Sequence, residues 1–447
     1  MSCAGGTPYG EHARRGRATH RGRRGAARQL HGQPRLGARR TPQRAPSGDR
    51  HGSPGPRARR ERSRCDRAAR EGDRGPPHLG SLCRRRPRLR MMAGTLEAVA
   101  RRTWKAATPG ARALRGALVP AAAAYAAMVT IRNRLYDAGW LRTRRVPARV
   151  LSVGNITVGG TGKTPTVLWL AGRLAARGWR VGIVARGYRK RRRGVVVVGE
   201  HGYPLVTAAD GGDEAVMLAR RFPGVVVSGE RRAEAAAFAC QQYALEAVVL
   251  DDGFQHRALA RDADLVLLAA DAPPAWPLPA GPLREPATGL ARARAFLSLE
   301  ERPTPGWPGV PLFRGHLRPM GLVRANEQGW GEEPLALLAG REVVAVAGVA
   351  HPERFVDTLV GAGATVRRVL RFPDHHAYDR GDAARIAATT GSALVVTTEK
   401  DLVKLAEFPA LSSIRALRVQ LEVEDGETLL DLLLRDDAQV ASRGESG

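Results

Sequence analysis

Residues 150–165 read Val-Leu-Ser-Val-Gly-Asn-Ile-Thr-Val-Gly-Gly-Thr-Gly-Lys-Thr-Pro, and no other stretch restricts the fold of this chain as much. The apolar run Val150–Val153 reads as a buried strand. A Gly-rich turn follows, and Lys163-Thr164 open a helix that should run on through Arg177. Strand, Gly-rich turn, Lys-Thr and helix form the recipe for a phosphate cradle. Glycines let backbone N–H groups crowd a phosphate, and the helix N-terminus adds partial positive charge. Lys163 then reaches the outer phosphates, and the Thr164 hydroxyl suits Mg²⁺. The strict pattern asks for Gly five positions before Gly162. Thr157 stands there, and Gly159 and Gly160 supply the flexibility instead. Pro165 is tolerated because the first helical turn has no use for its missing N–H. The expected ligand is a nucleoside triphosphate, cradled by Thr157, Val158, Gly159, Gly160, Thr161, Gly162, Lys163 and Thr164.

Charge is unevenly spread over the 447 residues. Residues 1–90 hold 25 Arg, no Lys and 6 Asp and Glu, which accounts for +19 of the formal +29. That segment is rich in Gly, Pro and Ala and nearly free of Ile, Val and Phe, so it cannot bury enough apolar surface to offset its ordering entropy. We expect a disordered extension, or untranslated sequence with a start at Met91 or Met92, rather than an Arg-rich arm for nucleic acid. Residues 91–150 add 11 Arg and Lys against Glu97 and Asp137. The remaining body is nearly neutral, which argues against nucleic acid as a partner. Three of the four cysteines lie in the extension and leave Cys240 alone in the body, so neither a disulfide framework nor a cysteine metal site is available. No signal-peptide core precedes the body, so export is not expected.

The chain then falls into five parts: the extension 1–90, a basic helical segment 91–145, a phosphate-loop domain 146–300, a linker 301–335 and a second, smaller α/β domain 336–447. Within 91–145, Gly116–Ile131 is a run of sixteen uncharged residues interrupted by Pro120. Arg112, Arg115, Arg132 and Arg134 flank the run, and Tyr136 and Trp140 follow. The run is short for a bilayer span. Its flanking charge suits a helix lying on an anionic membrane surface, with a buried Ala-rich core helix as the other reading.

From Val150 onward apolar strands alternate with helical segments, the mark of a parallel α/β sheet. Strands are expected at 180–185, 195–198, 203–206, 225–228, 247–250, 264–269, 295–299, 343–349, 365–370 and 394–397. The strand ending at Leu250 runs straight into Asp251-Asp252-Gly-Phe-Gln-His256. Carboxylates at the carboxyl end of a parallel strand lie where open α/β sheets bind ligands, and beside a phosphate cradle Asp251 and Asp252 are candidate Mg²⁺ ligands. Asp-Asp-Gly is also ordinary turn text, but the apolar strand before it favours the site.

The ordered set Gly154–Pro165, Arg186-Gly-Tyr188, Gly212-Asp-Glu214, Asp251–His256, Leu283-Arg-Glu-Pro286, Ala350-His-Pro352, Asp374-His375 and Thr398-Glu-Lys-Asp401 resembles the motif series of the tetraacyldisaccharide 4'-kinases, the lipid A 4'-kinases of Gram-negative bacteria. The resemblance covers roughly residues 95–435 and includes Thr157. The segment Tyr188–Arg193 departs from it, being more basic than the family's Gly-rich loop. The resemblance implies a P-loop NTPase-like fold with a membrane-associating front helix. It also implies ATP and Mg²⁺ as cofactors, and transfer of the γ-phosphate to the 4'-hydroxyl of a lipid A disaccharide 1-phosphate at the cytoplasmic face of the inner membrane, without an obligate protein partner.

It further implies Asp213 and His375 as a base pair from opposite halves, meeting when the cleft closes, with His376 the competing neighbour. Gln255, His256 and Glu285 become lid residues near the phosphates. Apart from the resemblance, Asp213 reads as a cap on the helix that follows it, and the two histidines read as loop surface. His351 reads as structural. A P-loop switch or chaperone ATPase, which phosphorylates nothing, can carry the same cradle. It has no reason to carry the Asp-His loop or the front helix.

Overall fold

A computed structural model describes residues 100, 103–104, 108–269, 276–301, 306–326 and 329–436. The extension 1–90 and part of the Pro-rich stretch 273–286 lie outside the described residues.

Helix α1 spans Pro109–Asp137, with the Thr108 side chain accepting from the Ala111 N–H at its start. The 29-residue helix is long and apolar enough, by length and composition, to cross a membrane. Within it only Ala122 and Val129 are buried; Leu114, Met128 and Ile131 are exposed.

The strands that follow are β1 Arg149–Asn155, β2 Val181–Ala185, β3 Val196–Glu200, β4 Tyr203–Pro204, β5 Val225–Ser228, β6 Ala247–Asp251, β7 Ala263–Leu268 and β8 Ala295–Ser298. Beyond them lie β9 Leu312–Asn326, β10 Gly329–Glu333, β11 Glu342–Ala347, β12 Thr365–Arg371, β13 Leu394–Thr398 and β14 Arg415–Val423. Besides a single turn at Ala208–Gly211, the helices are α2 Lys163–Ala176, α3 Asp213–Arg221, α4 Arg232–Tyr243, α5 Pro352–Gly361, α6 Arg380–Thr390, α7 Glu399–Leu405 and α8 Gly426–Leu434. One continuous path of paired strands runs β12-β11-β13-β14-β9-β8-β7-β1-β6-β2-β5-β3-β4, with β10 paired to β9. The central pairs β8-β7-β1-β6-β2-β5 are parallel. Such a sheet needs helices on both faces, which is why β2, β5, β6 and β7 are fully buried and apolar apart from Ser228, Asp251 and Asp264.

Two expectations change. The stretch 301–335, expected as a linker, carries β9, which pairs with β8 over Leu312–Arg314 and then with β14 from Gly315 to Arg324. Its Gly, Pro and Arg content disguises a strand whose hydrogen bonds come from three neighbours, β8, β14 and β10. The final helix also leaves the unit assigned to 336–447: Leu429, Leu430 and Leu433 of α8 lie in the cluster built by Leu151, Leu170 and Leu265. Each fully buried leucine stabilises that packing by roughly 1.5–3 kcal/mol.

Candidate active site

Because β1 and β6 are parallel, with Val153 opposite Asp251, the Gly-rich turn and the Asp pair leave the sheet side by side. The first part of the turn is a short ladder against the loop 282–284. Thr157 bridges Leu283, the Val158 N–H donates to the Pro282 carbonyl at 2.8 Å, and the Arg284 N–H donates to the Ile156 carbonyl at 2.8 Å. Thr157 is thus buried, extended backbone that needs no glycine. The conformational freedom is spent later, at Gly159 (φ 128°) and Gly162 (φ 85°). Gly162 precedes α2, and a Cβ there would fall 2.3 Å from Leu299 Cδ1. The first N–H groups of α2, including that of Thr164, are left to face an anion. Gly160 approaches Ala350, of the loop after β11, so closely that a Cβ would lie 3.2 Å away. Val158 is exposed and Thr161 is buried with an unpartnered hydroxyl.

The charges converge on the Asp pair. Lys163 Nζ lies 3.3 Å from Asn155 Oδ1 and 3.6 Å from Asp252 Oδ1. Both Asp252 oxygens accept from Arg284 Nη1, at 2.7 and 2.9 Å, and its backbone carbonyl accepts from the buried Arg232 at 3.1 Å. Burial works to raise the Asp252 carboxyl, but Lys163 and Arg284 outweigh it and hold it below the usual range. Asp251 behaves oppositely. Burial, then the negative charges of Glu214 and Asp252, push its carboxyl well above the ordinary value, with Lys163 and Arg232 offsetting only part. Four cations, Lys163, Arg186, Arg232 and Arg284, bear on this pocket. His256 is driven down to about 4 by burial and by Arg232, Arg261, Arg132 and Arg186.

Gln255 and Glu285, expected beside the phosphates, are hydrogen-bonded to each other and, through Gln255, to the start of the Gly-rich turn. Gln255 Nε2 donates to the Asn155 carbonyl at 2.9 Å and to Glu285 Oε1 at 3.0 Å. Glu285 is fully buried, and its Oε2 accepts from Asn133 of α1 at 3.1 Å and from Arg292 at 2.8 Å. Tyr125 of α1 donates to the Arg284 carbonyl at 2.7 Å. The front helix is therefore hydrogen-bonded to the loop that pairs with the cradle.

Asp213, the first residue of α3, and His375, in the loop after β12, meet: His375 Nδ1 lies 3.1 Å from Asp213 Oδ2. His376 goes elsewhere, to Asp382 at 2.7 Å and into a ring cluster with Phe372 and Tyr378. Burial raises the Asp213 carboxyl, but the His375 hydrogen bond and the charges of Lys404, His375 and Lys400 hold it far below its ordinary value. His375 sits at φ 57°, with the Tyr188 ring 5.0 Å from its own and Arg189 Nη1 donating to its carbonyl at 3.3 Å. The sequence reading missed Lys400 and Lys404 of α7 as neighbours of this pair. The Thr398–Asp401 motif was their signal, but its partners are far away in the chain. His351 lies half-exposed against Glu353 at 3.3 Å.

The model of the family described as tetraacyldisaccharide-1-P 4'-kinase matches residues 114–437. A tetraacyldisaccharide 4'-kinase of Anaeromyxobacter dehalogenans (strain 2CP-C) is 42% identical over 347 residues, covering 72% of this chain and 90% of that protein. The Aquifex aeolicus protein of the same name is 35% identical over 325 residues, covering 72% and 99%. A crystal structure from Aquifex aeolicus, in complex with ATP, superposes with a TM-score of 0.62 at 34% identity, covering 72% of this chain and 98% of that one. With the cradle, the Asp pair and the Asp213–His375 contact in one site, these matches establish that the chain belongs to the tetraacyldisaccharide-1-P 4'-kinase family, phosphotransferases that act on a hydroxyl group.

Proposed function

We propose that this protein transfers the γ-phosphate of ATP to the 4'-hydroxyl of a tetraacyl disaccharide 1-phosphate, with the Asp213–His375 pair taking up the hydroxyl proton at the Asp213 carboxylate. The observation that carries the reading is the 3.1 Å contact between these residues from opposite halves of the chain, beside the phosphate loop. Phosphoryl transfer asks the protein mainly for positioning and charge, plus a base for the hydroxyl. The backbone N–H groups of 159–164 and Lys163 would bind the triphosphate, and Arg232 and Arg284 add positive charge around it. Thr164 and Asp251 fit Mg²⁺: the Asp251 carboxylate is buried, resists ionisation without a cation, and is not engaged by Arg284. Asp252, held by Arg284 and Lys163, orients the cluster. Bound Mg²⁺ would neutralise phosphate charge.

The exposed apolar face of α1 supports a peripheral position on the cytoplasmic face of the inner membrane, where a lipid acceptor resides. We place the cleft between the phosphate-loop turn and the loop after β11, a reading supported by the approach of Gly160 to Ala350.

The test incubates the chain starting at Met92 with labelled ATP, Mg²⁺ and the disaccharide 1-phosphate in detergent. A bisphosphorylated lipid is expected; substrate-independent ATP hydrolysis with no lipid product sinks the reading. Lys163→Ala should lower kcat about 10²–10³-fold while the fold is retained. Asp213→Ala and His375→Ala should lower it about 10²–10⁴-fold with little change in KM for ATP. A fully active variant removes that residue from the mechanism.

A further inference from the structure

We infer that Lys400 is a positioning residue that fixes the tautomer of His375, holding the ring proton on Nδ1 against Asp213 and the Nε2 lone pair toward its own ammonium. The inference rests on the reading of Asp213 and His375 as the base pair and adds a third member that the spacing of residues did not reveal.

Lys400 lies in the first turn of α7, with its side chain 15% exposed. Its Nζ is 3.0 Å from Glu214 Oε1, 3.0 Å from Asp374 Oδ1 and 3.1 Å from His375 Nε2. An ammonium has three N–H donors and no acceptor, so these three contacts use all of them. A ring nitrogen that receives an N–H carries no proton of its own. The proton of the neutral imidazole therefore sits on Nδ1, where Asp213 Oδ2 accepts it. Burial works against the charged form of Lys400, but the carboxylates of Glu214, Asp374 and Asp213 outweigh it and hold the ammonium above its ordinary range.

Two groups compete for Nε2: Glu214 Oε1 from α3 at 3.7 Å, and Lys400 from α7, nearer at 3.1 Å and itself 3.0 Å from that same Glu214 oxygen. Asp213 meets Nδ1 from α3, Tyr188 and Arg189 approach from the loop after β2, and Asp374 lies in the ring's own loop. Lys404 stands one turn further along α7 and contacts Asp213 Oδ2 at 3.4 Å rather than the ring. Arg189 holds the His375 carbonyl and Tyr188 packs at a tilt of 59° against the ring, so Lys400 is the only cation among the described residues that addresses Nε2. Partners that orient a working imidazole in this way typically matter 10–100-fold.

The decisive measurement is the ¹⁵N spectrum of the full chain labelled on histidine, with His375 identified by the signals lost in His375→Gln. The expected pattern has Nδ1 protonated and Nε2 unprotonated. Lys400→Met should mix the tautomers or produce the imidazolium. Lys400→Gln, whose amide can still donate, should keep the wild-type pattern. In the same variants kcat should fall about 10–100-fold for Met and recover in part for Gln, with KM for ATP unchanged. A wild-type ring protonated at Nε2, or a Lys400→Met ring indistinguishable from wild type, overturns the inference. If the Met variant fails to fold, an Nε2-protonated ring in Lys400→Gln overturns it equally. The expected ring pattern together with a fully active Asp213→Ala would sink the base-pair reading and leave the Lys400 assignment standing.

Discussion

Thr157 and Gly162 sit in one turn and answer opposite demands. Thr157 is pinned in extended backbone by Leu283, so a side chain there costs nothing. Gly162 combines φ 85° with Leu299 pressed against its missing side chain. Gly162→Ala should cost about 1–3 kcal/mol from backbone conformation alone, with the clash added, and should abolish nucleotide binding. A thermal melt and ATP titration check this; an unshifted melt removes the argument.

His256 makes a pH prediction. Its folded value of about 4 lies below the ordinary 6.5, so between those values the unfolded chain binds a proton that the native one excludes. Stability therefore falls as pH drops from 6.5 toward 4. His256→Gln should flatten that part of the stability–pH curve; an unchanged slope would assign it to other groups. The sequence shows the cradle and the Asp pair within a few residues each, whereas Asp213 read locally is a helix cap and enters the site only through the resemblance. The grouping of Lys400, His375 and Glu214 does not show, because 25 and 186 residues separate Lys400 from its two partners in the chain.

At the level of elements, the buried parallel strands are readable because both faces are covered and nearly every position between their ends is apolar. β5 matches the expected 225–228, and β1, β2, β6 and β7 differ from expectation only by a residue or two at their ends. β9 and β14 escape notice because they are half-exposed and carry Arg, with Gly and Pro in β9 as well, so pairing rather than apolar content decides them. Helix α1 is readable as a helix, but its hydrogen bonds through Tyr125 and Asn133 are not. The helix is roughly 43 Å long, more than a hydrocarbon core of ~30 Å. Its exposed Leu114, Met128 and Ile131 should each contribute roughly 1 kcal/mol to lipid binding. Replacing all three with Gln should release the protein from anionic vesicles in a co-sedimentation assay without altering its melting temperature. Retained vesicle binding would assign the contact to another surface.

Over the whole molecule, β9 joins the parallel strands of the phosphate-loop half to β14 and the strands beyond it. Val323, fully buried on β9, packs with Val346, Leu402 and Leu405. Val323→Asp should destabilise by at least about 3 kcal/mol, and calorimetry should show one transition shifting rather than two separating. Independent melting of the two halves would show that the strand path does not couple them. The Glu285 junction carries a second consequence. One buried carboxylate holds Asn133 of the front helix and, through Gln255, the backbone at the start of the phosphate loop. Two binding events that draw on the same anchor are thermodynamically linked, and linkage is reciprocal. By whatever factor a docked α1 tightens the loop around nucleotide, bound nucleotide tightens α1 in its docked place. A lipid surface that settles the helix would in that way act as a cofactor for ATP.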